Sequence, residues 1–387
     1  MVFIKNLISL CLKEDNQLYI NLLLYSHMNY IHKIVSITLP PKIREKICRK
    51  KNWVKFSERF DAAIQQFVIE KGISDPAEIR CWKKKLVKAF VNDNWYPDEY
   101  FFFNYEYLSP KGRYEFVPNR EANKFWNYLN TKEIYLMTCD KGQTFQHFKS
   151  YYKRELISVS AEIAESIETF REFAKRHHSF IIKPTYGNYG NGVRIIGKES
   201  LKNIDSLLNE LLQSNPKGFT AEELIIQCEE LASFHPYSVN TVRLTTARLK
   251  NGEIYIINRP FIRFGQQRHC VDNGGNGGII AGIDYETGII KGAIDERMNH
   301  YVIHTDSKKT ILGFKIPKWE EAKEFVIKLA KELPELNYCG WDLALTDNGW
   351  VMVEANGKGL FIGFQMPTQE GFREEFEKLK ILCGFNG

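Results

Sequence analysis

A loop with three glycines follows a lysine in the stretch FIIKPTYGNYGNGVRII, residues 180–196. Lys183 ends an apolar run, and Gly187, Gly190 and Gly192 precede the next one. Glycine lets backbone N–H groups approach an anion without interference from a Cβ atom, and the lysine adds a positive charge. The stretch therefore suits a polyphosphate, while a flexible hairpin with an incidental lysine is the alternative. No G-K-S/T leads into a helix, so this is not the P-loop pattern.

A second set of candidate residues lies in the stretch GWDLALTDNGWVMVEAN. A three-residue turn over 347–349 would place Asp342 opposite Glu354, with Asn356 on the same face of the strand. Two carboxylates and an amide oxygen are ligands that Mg²⁺ accepts, together with water and phosphate oxygens. The alternative is an ordinary solvent-facing strand. In either case Val353 should be buried on the opposite face.

The elements that position these residues read as amphipathic helices and antiparallel hairpins. Apolar residues at helical spacing predict helices over 57–72 and 317–335. Asn251–Gly252 and Thr287–Gly288 each separate two alternating runs, which predicts two hairpins. The aromatic-rich stretch 97–116 reads as a mixture of loop and strand. The chain is therefore predicted to be α+β, without the βαβ rhythm of a doubly wound sheet.

The composition argues against several classes of protein. The 387 residues are 44% hydrophobic and 26% charged, which is ordinary for a globular protein. No apolar run reaches the roughly 18 residues of a transmembrane helix, and the apolar first forty residues predict a docked helix. The net charge of +6 is small and dispersed, which does not favour nucleic-acid binding. The basic run 44–55 predicts a solvated helix face.

Cysteines and histidines show no metal or disulfide pattern. The 8 cysteines form no C-x-x-C pair and no regular framework, which favours free thiols in a reducing compartment, the cytoplasm. The 9 histidines include no H-E-x-x-H or comparable spacing. Any metal site is therefore expected from carboxylate and amide oxygens.

The ordered set of motifs resembles the ATP-grasp superfamily. The matching stretches are IIKPTYGNYGNGV, IIQCEE, NTVRLTT, NGGNGGI, GWDLAL and VEAN, in that order across residues 126–370. SVNTVR, VDNGGNGG and EANGKG look most like the sugar-transfer-associated branch, which is found with bacterial polysaccharide genes. Residues 1–125 read as mostly helical, and the resemblance implies an ATP-grasp domain over 126–387. Its subdomains would be 126–228, with the glycine-rich loop, and 229–387, with the metal-binding hairpin.

The resemblance implies two α+β subdomains that clamp ATP together with Mg²⁺, or with Mn²⁺ in its place. Lys183 would contact the α-phosphate side and Lys141 another phosphate, while Gly187, Gly190 and Gly192 would form a flap. The other residues implied to take part form three groups: Gln227, Cys228 and Glu230 at the adenine; Arg243 and Arg263 as catalytic residues at the phosphates; Asp342, Glu354 and Asn356 at the metal ion. Taken alone, Lys141 also reads as a surface lysine, and each arginine as a salt-bridge residue.

The chain departs from the pattern of that superfamily in three ways. Phe234 stands where many relatives have an acidic residue for the ribose. Gly340 stands where several ligases have an arginine that steadies the tetrahedral intermediate. The usual N-terminal α/β subdomain is not evident, because residues 1–125 read as helical. These departures leave the ribose contact open and weaken an analogy with dipeptide ligases.

Three functions fit these residues. The first is a Mg-ATP-dependent ligase that activates a substrate carboxylate as an acylphosphate for attack by an amine or other nucleophile, in bacterial polysaccharide or cell-surface glycan biosynthesis. The second is a kinase of a sugar or other hydroxyl group, and the third is a non-catalytic nucleotide-binding partner in a glycan-assembly complex. The substrate should be a small carboxylate or sugar-linked compound, with the loop 271–280 as part of its pocket. For the ligase, Asp342→Asn should abolish turnover and leave the fold intact.

Overall fold

The structure is a computed structural model, and the residues it describes are 57–187, 190–267, 277–359 and 361–385. The predicted helix in the first forty residues, the basic run 44–55 and positions 271–276 of the predicted pocket loop lie outside these residues. No helix in the described ranges is long and apolar enough to cross a bilayer.

Helices occupy the described chain up to residue 152, and helices and strands are mixed after it. The α-helices are α1 Ser57–Ile64, α2 Pro76–Asn92, α3 Pro97–Phe102, α4 Pro110–Glu115, α5 Asn119–Leu129, α6 Lys132–Cys139, α7 Lys141–Tyr152, α8 Ala164–Arg176, α9 Ile204–Ser214, α10 Glu229–Ala232, α11 Trp319–Glu332, α12 Ile362–Gln365 and α13 Arg373–Cys383. The strands are β1 Leu156–Val159, β2 Phe180–Pro184, β3 Arg194–Ile196, β4 Phe219–Glu223, β5 Thr241–Arg248, β6 Ile254–Phe264, β7 Ile279–Ile283, β8 Ile290–Ile294, β9 Tyr338–Thr346 and β10 Gly349–Asn356. Because helices accompany two sheets whose described strand pairs are antiparallel, the α+β prediction is confirmed.

The prediction of loop and strand over residues 97–116 is wrong. Helices α3 and α4 occupy most of this stretch, with a short 3₁₀-helix at Tyr105–Tyr107 between them. Helices α3 and α4 each begin with a proline. The N–H group that proline lacks would have no hydrogen-bond partner within the helix at this position, so its loss costs nothing. Ser109 also caps α4, because its hydroxyl accepts a hydrogen bond from Gly112 N at 3.1 Å. These start signals outweigh the strand preference of the aromatic side chains.

The strands between α7 and α10 form a small four-stranded sheet. Its strand order is β1-β4-β2-β3. Helices α8 and α9 cover one face, where phenylalanine and leucine side chains such as Phe170, Phe180 and Leu211 are fully buried. Alternation along the strands turns the neighbouring residues to the other face, so polar side chains there are free to line a site.

The remaining strands form a large six-stranded sheet in the order β10-β9-β5-β6-β7-β8. Helices α7 and α11 pack on one face around Trp341 and Leu343. Helix α5 and the C-terminal helices α12 and α13 pack on the other face around Tyr338 and Phe261. The hairpins predicted at Asn251–Gly252 and Thr287–Gly288 are confirmed as β5–β6 and β7–β8.

The β9–β10 hairpin carries the predicted metal-binding residues. Its turn has two residues, Asp347–Asn348, so the predicted three-residue turn is wrong. A bulge at Val353 then adds one residue to β10, and Glu354 pairs with Asp342 as expected. The expected burial of Val353 on the opposite face is also wrong, since Val353 lines the same cavity as Glu354.

Candidate active site

A small cavity lies between the two sheets, close to the first turn of α7. The residues that line it are Thr138, Lys141, Thr144, Tyr152, Lys183, Glu222, Val353 and Glu354. Lys183 and Glu222 belong to the small sheet, Lys141 begins α7, and Glu354 belongs to the edge strand β10. The fold thus brings three predicted site residues, Lys141, Lys183 and Glu354, to one place.

Strand alternation explains why Lys183 and Glu222 face this cavity. Their neighbours Ile182 and Ala221 are fully buried on the face of the small sheet that α8 and α9 cover. Residues that follow each other in a strand point to opposite faces, so Lys183 and Glu222 must point away from those helices. The two strands β2 and β4 are adjacent, which brings the two side chains together.

Glu222 is held by two cations. Lys183 Nζ donates a hydrogen bond to Glu222 Oε2 at 2.9 Å, and Arg154 Nη2 donates to the same oxygen at 2.8 Å. Thr220 Oγ1 donates to the other oxygen at 3.3 Å. Burial alone would raise the pKa of Glu222, but the charges and hydrogen bonds of Lys183 and Arg154 lower that pKa to about 2. The carboxylate is therefore ionised at neutral pH.

Lys141 connects the glycine loop with the β9–β10 hairpin. Helix α7 begins at Lys141 because the Asp140 carboxylate accepts a hydrogen bond from Gln143 N at 3.0 Å. Lys141 Nζ donates to Gly187 O at 3.0 Å and lies 3.9 Å from Glu354 Oε1. The lysine is mostly buried rather than the surface residue of the alternative interpretation, and its contact with a phosphate stays a prediction.

Two of the three loop glycines are required by the backbone. Gly190 and Gly192 have φ angles of +68° and +75°, which L side chains rarely adopt. A Cβ atom at Gly192 would also lie 2.8 Å from Pro184 Cγ. Gly187 has neither feature and contributes the carbonyl that Lys141 binds. The role of the loop as a flap over phosphates stays a prediction.

Asp342 binds both predicted arginines. Arg243 donates through Nε and Nη2 to the two carboxylate oxygens, at 2.5 and 2.7 Å. Arg263 Nη2 lies 2.8 Å from Oδ2, and Asn356 Nδ2 donates to the same oxygen at 3.3 Å. The Asp342 side chain is buried, with only 3% of its surface exposed. In this structure both arginines therefore form salt bridges, as the alternative interpretation predicts.

Two guanidinium groups stabilise the negative charge of Asp342. Burial alone would raise the pKa of Asp342, but the charges and hydrogen bonds of Arg243 and Arg263 hold it below its usual value. One carboxylate thus faces two guanidinium groups at neutral pH. Binding of a polyphosphate by these two guanidinium groups stays a prediction.

The three predicted metal ligands fit Mg²⁺ by their chemistry. Glu354 is opposite Asp342 in the hairpin and its side chain is 37% exposed, and Asn356 reaches Asp342 by its amide. Within the described ranges no group of three or more histidine, cysteine or carboxylate side chains could hold a metal ion. The predicted donors, two carboxylates and an amide, are of a kind that Mg²⁺ accepts when phosphate oxygens complete its shell, and the metal site stays a prediction. Arg243 and Arg263 occupy both Asp342 oxygens, so a metal ion needs at least one of them to turn away.

Gln227 does not offer its amide oxygen to a nucleotide in this structure. Its Oε1 accepts a hydrogen bond from Asn240 N at 3.1 Å, and its Nε2 donates to Ser238 O at 2.9 Å. The oxygen and the nitrogen of the Gln227 amide therefore both tie the linker after β4 to the residues that precede β5. The predicted contact of Gln227 with adenine does not fit this arrangement, and a structural role explains the side chain.

Cys228 likewise uses its backbone within the protein. Its N–H donates to Leu345 O of β9 at 2.8 Å, and its carbonyl accepts from Ala232 N at 2.9 Å. The Cys228 N–H is thus occupied, and the predicted contact of the Cys228 backbone with adenine stays a prediction. Glu230 is exposed in the first turn of α10, and its contact with adenine stays a prediction.

Sequence reasoning missed Glu222 and Arg154. Apolar Phe219 and Ala221 alternate with Thr220 and Glu222 in β4, so an acidic residue facing away from the helices was readable from the pattern. Arg154 gives no local signal, because its partner Glu222 is 68 residues further along the chain. Only the folded sheet brings the two together.

The two antiparallel sheets, with lysines and carboxylates in the cavity between them, define a protein of the ATP-grasp class, whose enzymes are ATP-dependent and ligase-like. A sequence model of one family in this class matches residues 120–380, more than half of the chain. The chain belongs to the sugar-transfer associated ATP-grasp family. A search of the curated proteins found none that matches.

Solved structures that resemble the chain are ATP-grasp proteins at low identity. The ligase PsnB, complexed with a minimal precursor, Mg and ADP, is 14% identical, with a TM-score of 0.40. That alignment covers 66% of this chain and 62% of PsnB. D-Alanine-D-alanine ligase from Helicobacter pylori is 14% identical over 65% of this chain and 62% of its own, with a TM-score of 0.41. D-Alanyl-alanine synthetase A from Vibrio cholerae is 12% identical over 64% and 66%, with a TM-score of 0.40. These likenesses concern the fold alone.

Proposed function

We propose that this protein is a Mg-ATP-dependent ligase, which activates a substrate carboxylate as an acylphosphate for attack by an amine or another nucleophile. The observation that carries the proposal is the meeting of Lys141, Lys183 and Glu354 in one cavity between the sheets, with Asp342 opposite Glu354. Cations from one side and carboxylates from the other suit a polyphosphate and its metal ion.

In the proposed reaction, a carboxylate oxygen of the substrate bonds to the γ-phosphorus of ATP while the bond to the departing ADP breaks. The amine nitrogen then bonds to the acyl carbon, inorganic phosphate leaves, and the nitrogen loses a proton. Lys141 and Lys183 neutralise charge on the phosphates and hold them in line. Asp342, Glu354 and Asn356 would hold Mg²⁺, which supplies further charge neutralisation when bound.

Arg243 and Arg263 are the residues expected to change partner in this reaction. A triphosphate carries more negative charge than one carboxylate, so it competes with Asp342 for the two guanidinium groups. Their transfer to the phosphates would free the Asp342 oxygens for the metal ion. The binding of nucleotide and of metal would then depend on each other.

Arg243 also stands beside Gly340, where several ligases of this class have an arginine. A Cβ atom at Gly340 would lie 3.1 Å from Arg243 Cδ and 3.1 Å from Arg243 Nη1. The Arg243 guanidinium thus fills the space into which a side chain at position 340 would extend. This neighbour relation supports Arg243 as the source of the positive charge that Gly340 does not supply.

The setting of the reaction is also a proposal. The proposed role is in bacterial polysaccharide or cell-surface glycan biosynthesis, on a small carboxylate or sugar-linked substrate in the cytoplasm. The sugar transfer in the family description supports the link to glycans. Mn²⁺ is expected to support the reaction in place of Mg²⁺, because both ions accept carboxylate oxygens as ligands. We further propose a helical region over 1–125 and an ATP-grasp domain over 126–387, whose subdomains 126–228 and 229–387 join after β4.

Hydroxylamine trapping tests the proposed reaction. The protein is incubated with Mg-ATP, hydroxylamine and a panel of small and sugar-linked carboxylates, and hydroxamate and phosphate are measured. A ligase gives hydroxamate with release of phosphate, and Lys183→Met should abolish both. Lys198→Met, an exposed lysine after β3, is the matched control and should have no effect. A stable phosphoester without hydroxamate would show a kinase, and nucleotide binding without turnover of any carboxylate would favour a non-catalytic partner.

A further inference from the structure

The lysine predicted to bind phosphate, Lys183, belongs to a buried cluster of two cations and one anion. The exposed fractions of the side chains are 13% for Lys183, 2% for Glu222 and 5% for Arg154. Both cations bind the same oxygen of Glu222. The cluster therefore has one positive charge left over, and Lys183 is its most exposed member.

Arg154 links this cluster to the large sheet as well. Its Nη1 donates to Met352 O in β10 at 2.7 Å, while its Nη2 holds Glu222 in β4. Met352 directly precedes the bulge that turns Glu354 toward the cavity. One planar guanidinium thus connects the strand beside Lys183 with the strand that carries Glu354, a geometry that the single ammonium of a lysine cannot reproduce.

The charge balance gives each residue a distinct task. Without Arg154, Glu222 would neutralise Lys183, and the lysine would offer a phosphate an ion pair instead of a free charge. Without Glu222, Lys183 would keep its charge but lose the partner that fixes its ammonium. A buried carboxylate that accepts two cations can thus orient one of them without cancelling it.

We propose that Glu222 and Arg154 are positioning residues for Lys183: Glu222 fixes the ammonium at the cavity, and Arg154 balances Glu222 so that Lys183 keeps a net positive charge for a phosphate. This inference rests on the proposed nucleotide site. Both act through Lys183, because Arg154 does not line the cavity and both oxygens of Glu222 already accept hydrogen bonds from protein groups.

A set of four variants tests the charge balance by the affinity for nucleotide. Isothermal titration calorimetry measures the Kd of a non-hydrolysable ATP analogue with Mg²⁺ for Arg154→Met, Glu222→Gln, the double variant and the control Arg171→Met. Arg171 binds Glu168 and Asp205 on the helical side of the small sheet, away from the cavity. Thermal unfolding of each variant confirms that it is folded at the temperature of the titration.

Arg154→Met should weaken binding by about tenfold or more, because Glu222 then cancels the charge of Lys183. Adding Glu222→Gln to Arg154→Met should restore the affinity to within about threefold of wild type, since the net charge returns to one. The single variant Glu222→Gln should bind at least as tightly as Arg154→Met/Glu222→Gln, and Arg171→Met should bind like wild type.

A purely structural role predicts the opposite order. If the double variant binds as weakly as Arg154→Met or more weakly, or if Arg154→Met binds like wild type, the inference is overturned. These results are distinct from failure of the proposed function, in which wild type itself does not bind the nucleotide analogue.

Discussion

The substitution Asp342→Asn removes a negative charge from the point at which two guanidinium groups converge. Asparagine keeps the shape but has one oxygen acceptor, and its NH₂ group faces the N–H donors of Arg243 and Arg263. At least two charge-assisted hydrogen bonds would be lost, each worth about 1.5–3 kcal/mol. The arginine side chains are only 12% and 18% exposed, so water replaces little of this loss. We expect the free energy of unfolding to fall by about 3–5 kcal/mol, as when a buried ion pair loses one partner.

This result would correct the sequence-based expectation that Asp342→Asn leaves the fold intact. The substitution should also change the response to polyphosphate. In wild type, triphosphate must compete with Asp342 for the guanidinium groups, whereas in the variant this carboxylate no longer competes. Without Mg²⁺, inorganic triphosphate should therefore stabilise the variant more than wild type, by up to about 2.7 kcal/mol at 100 times its Kd. With Mg-ATP the order should reverse, because the variant has lost a metal ligand.

Thermal unfolding with triphosphate and EDTA, and with Mg-ATP, measures both effects. The matched control is Asp98→Asn, which removes a carboxylate bound by Arg59 at 2.9 and 2.5 Å in the helical region. It should lower stability and leave the response to triphosphate unchanged. The reasoning is refuted if Asp342→Asn unfolds at the wild-type temperature, or if triphosphate without Mg²⁺ stabilises both proteins equally.

Three further changes test the loop, the buried cluster and a helix start. Gly192→Ala should lower the free energy of unfolding, measured in urea, by about 1–2 kcal/mol, because its φ is +75°. The fold lowers the pKa of Glu222 from 4.5 to about 2. The ionised Glu222 therefore adds to the free energy of unfolding above pH 4.5, and this stabilisation disappears as the pH falls toward 2. Acid titrations of stability should show wild type losing about 3 kcal/mol relative to Glu222→Gln over that range. Asp75→Ala should cost about 1 kcal/mol in urea, because Asp75 caps α2 through Ala77 N and Glu78 N, whereas an unchanged midpoint would exclude the cap.

Local patterns predicted the elements whose signals lie within one stretch of sequence. Helix α11 has apolar residues at helical spacing, and the β5–β6 hairpin has an Asn-Gly turn between alternating runs, so both were readable. These features depend on neighbours along the chain, which the sequence displays directly.

The contacts of the candidate site depend on residues that are far apart in sequence. Arg243 and Asp342 are 99 residues apart, and their pairing follows from the adjacency of β5 and β9. The hydrogen bond from Asn240 N to the side chain of Gln227 depends on a loop that folds back on the linker after β4. Residue types alone indicate that such groups can bind phosphate or adenine, but they do not show which groups the protein already uses for itself.

The bulge at Val353 makes the carboxylate pair depend on the length of β10 as well as on its residues. Between the turn and Met352, the strands pair so that Asp342 would face position 353 if the register continued. The extra residue moves Glu354 into that place. Without the bulge, a β10 of the same length would pair Glu354 with Trp341 and send this carboxylate to the core face, while every proposed ligand remained in the sequence. A relative with the same acids keeps the pair with this bulge, or with one residue fewer and a regular strand, so spacing and bulge have to be compared together with residue identity.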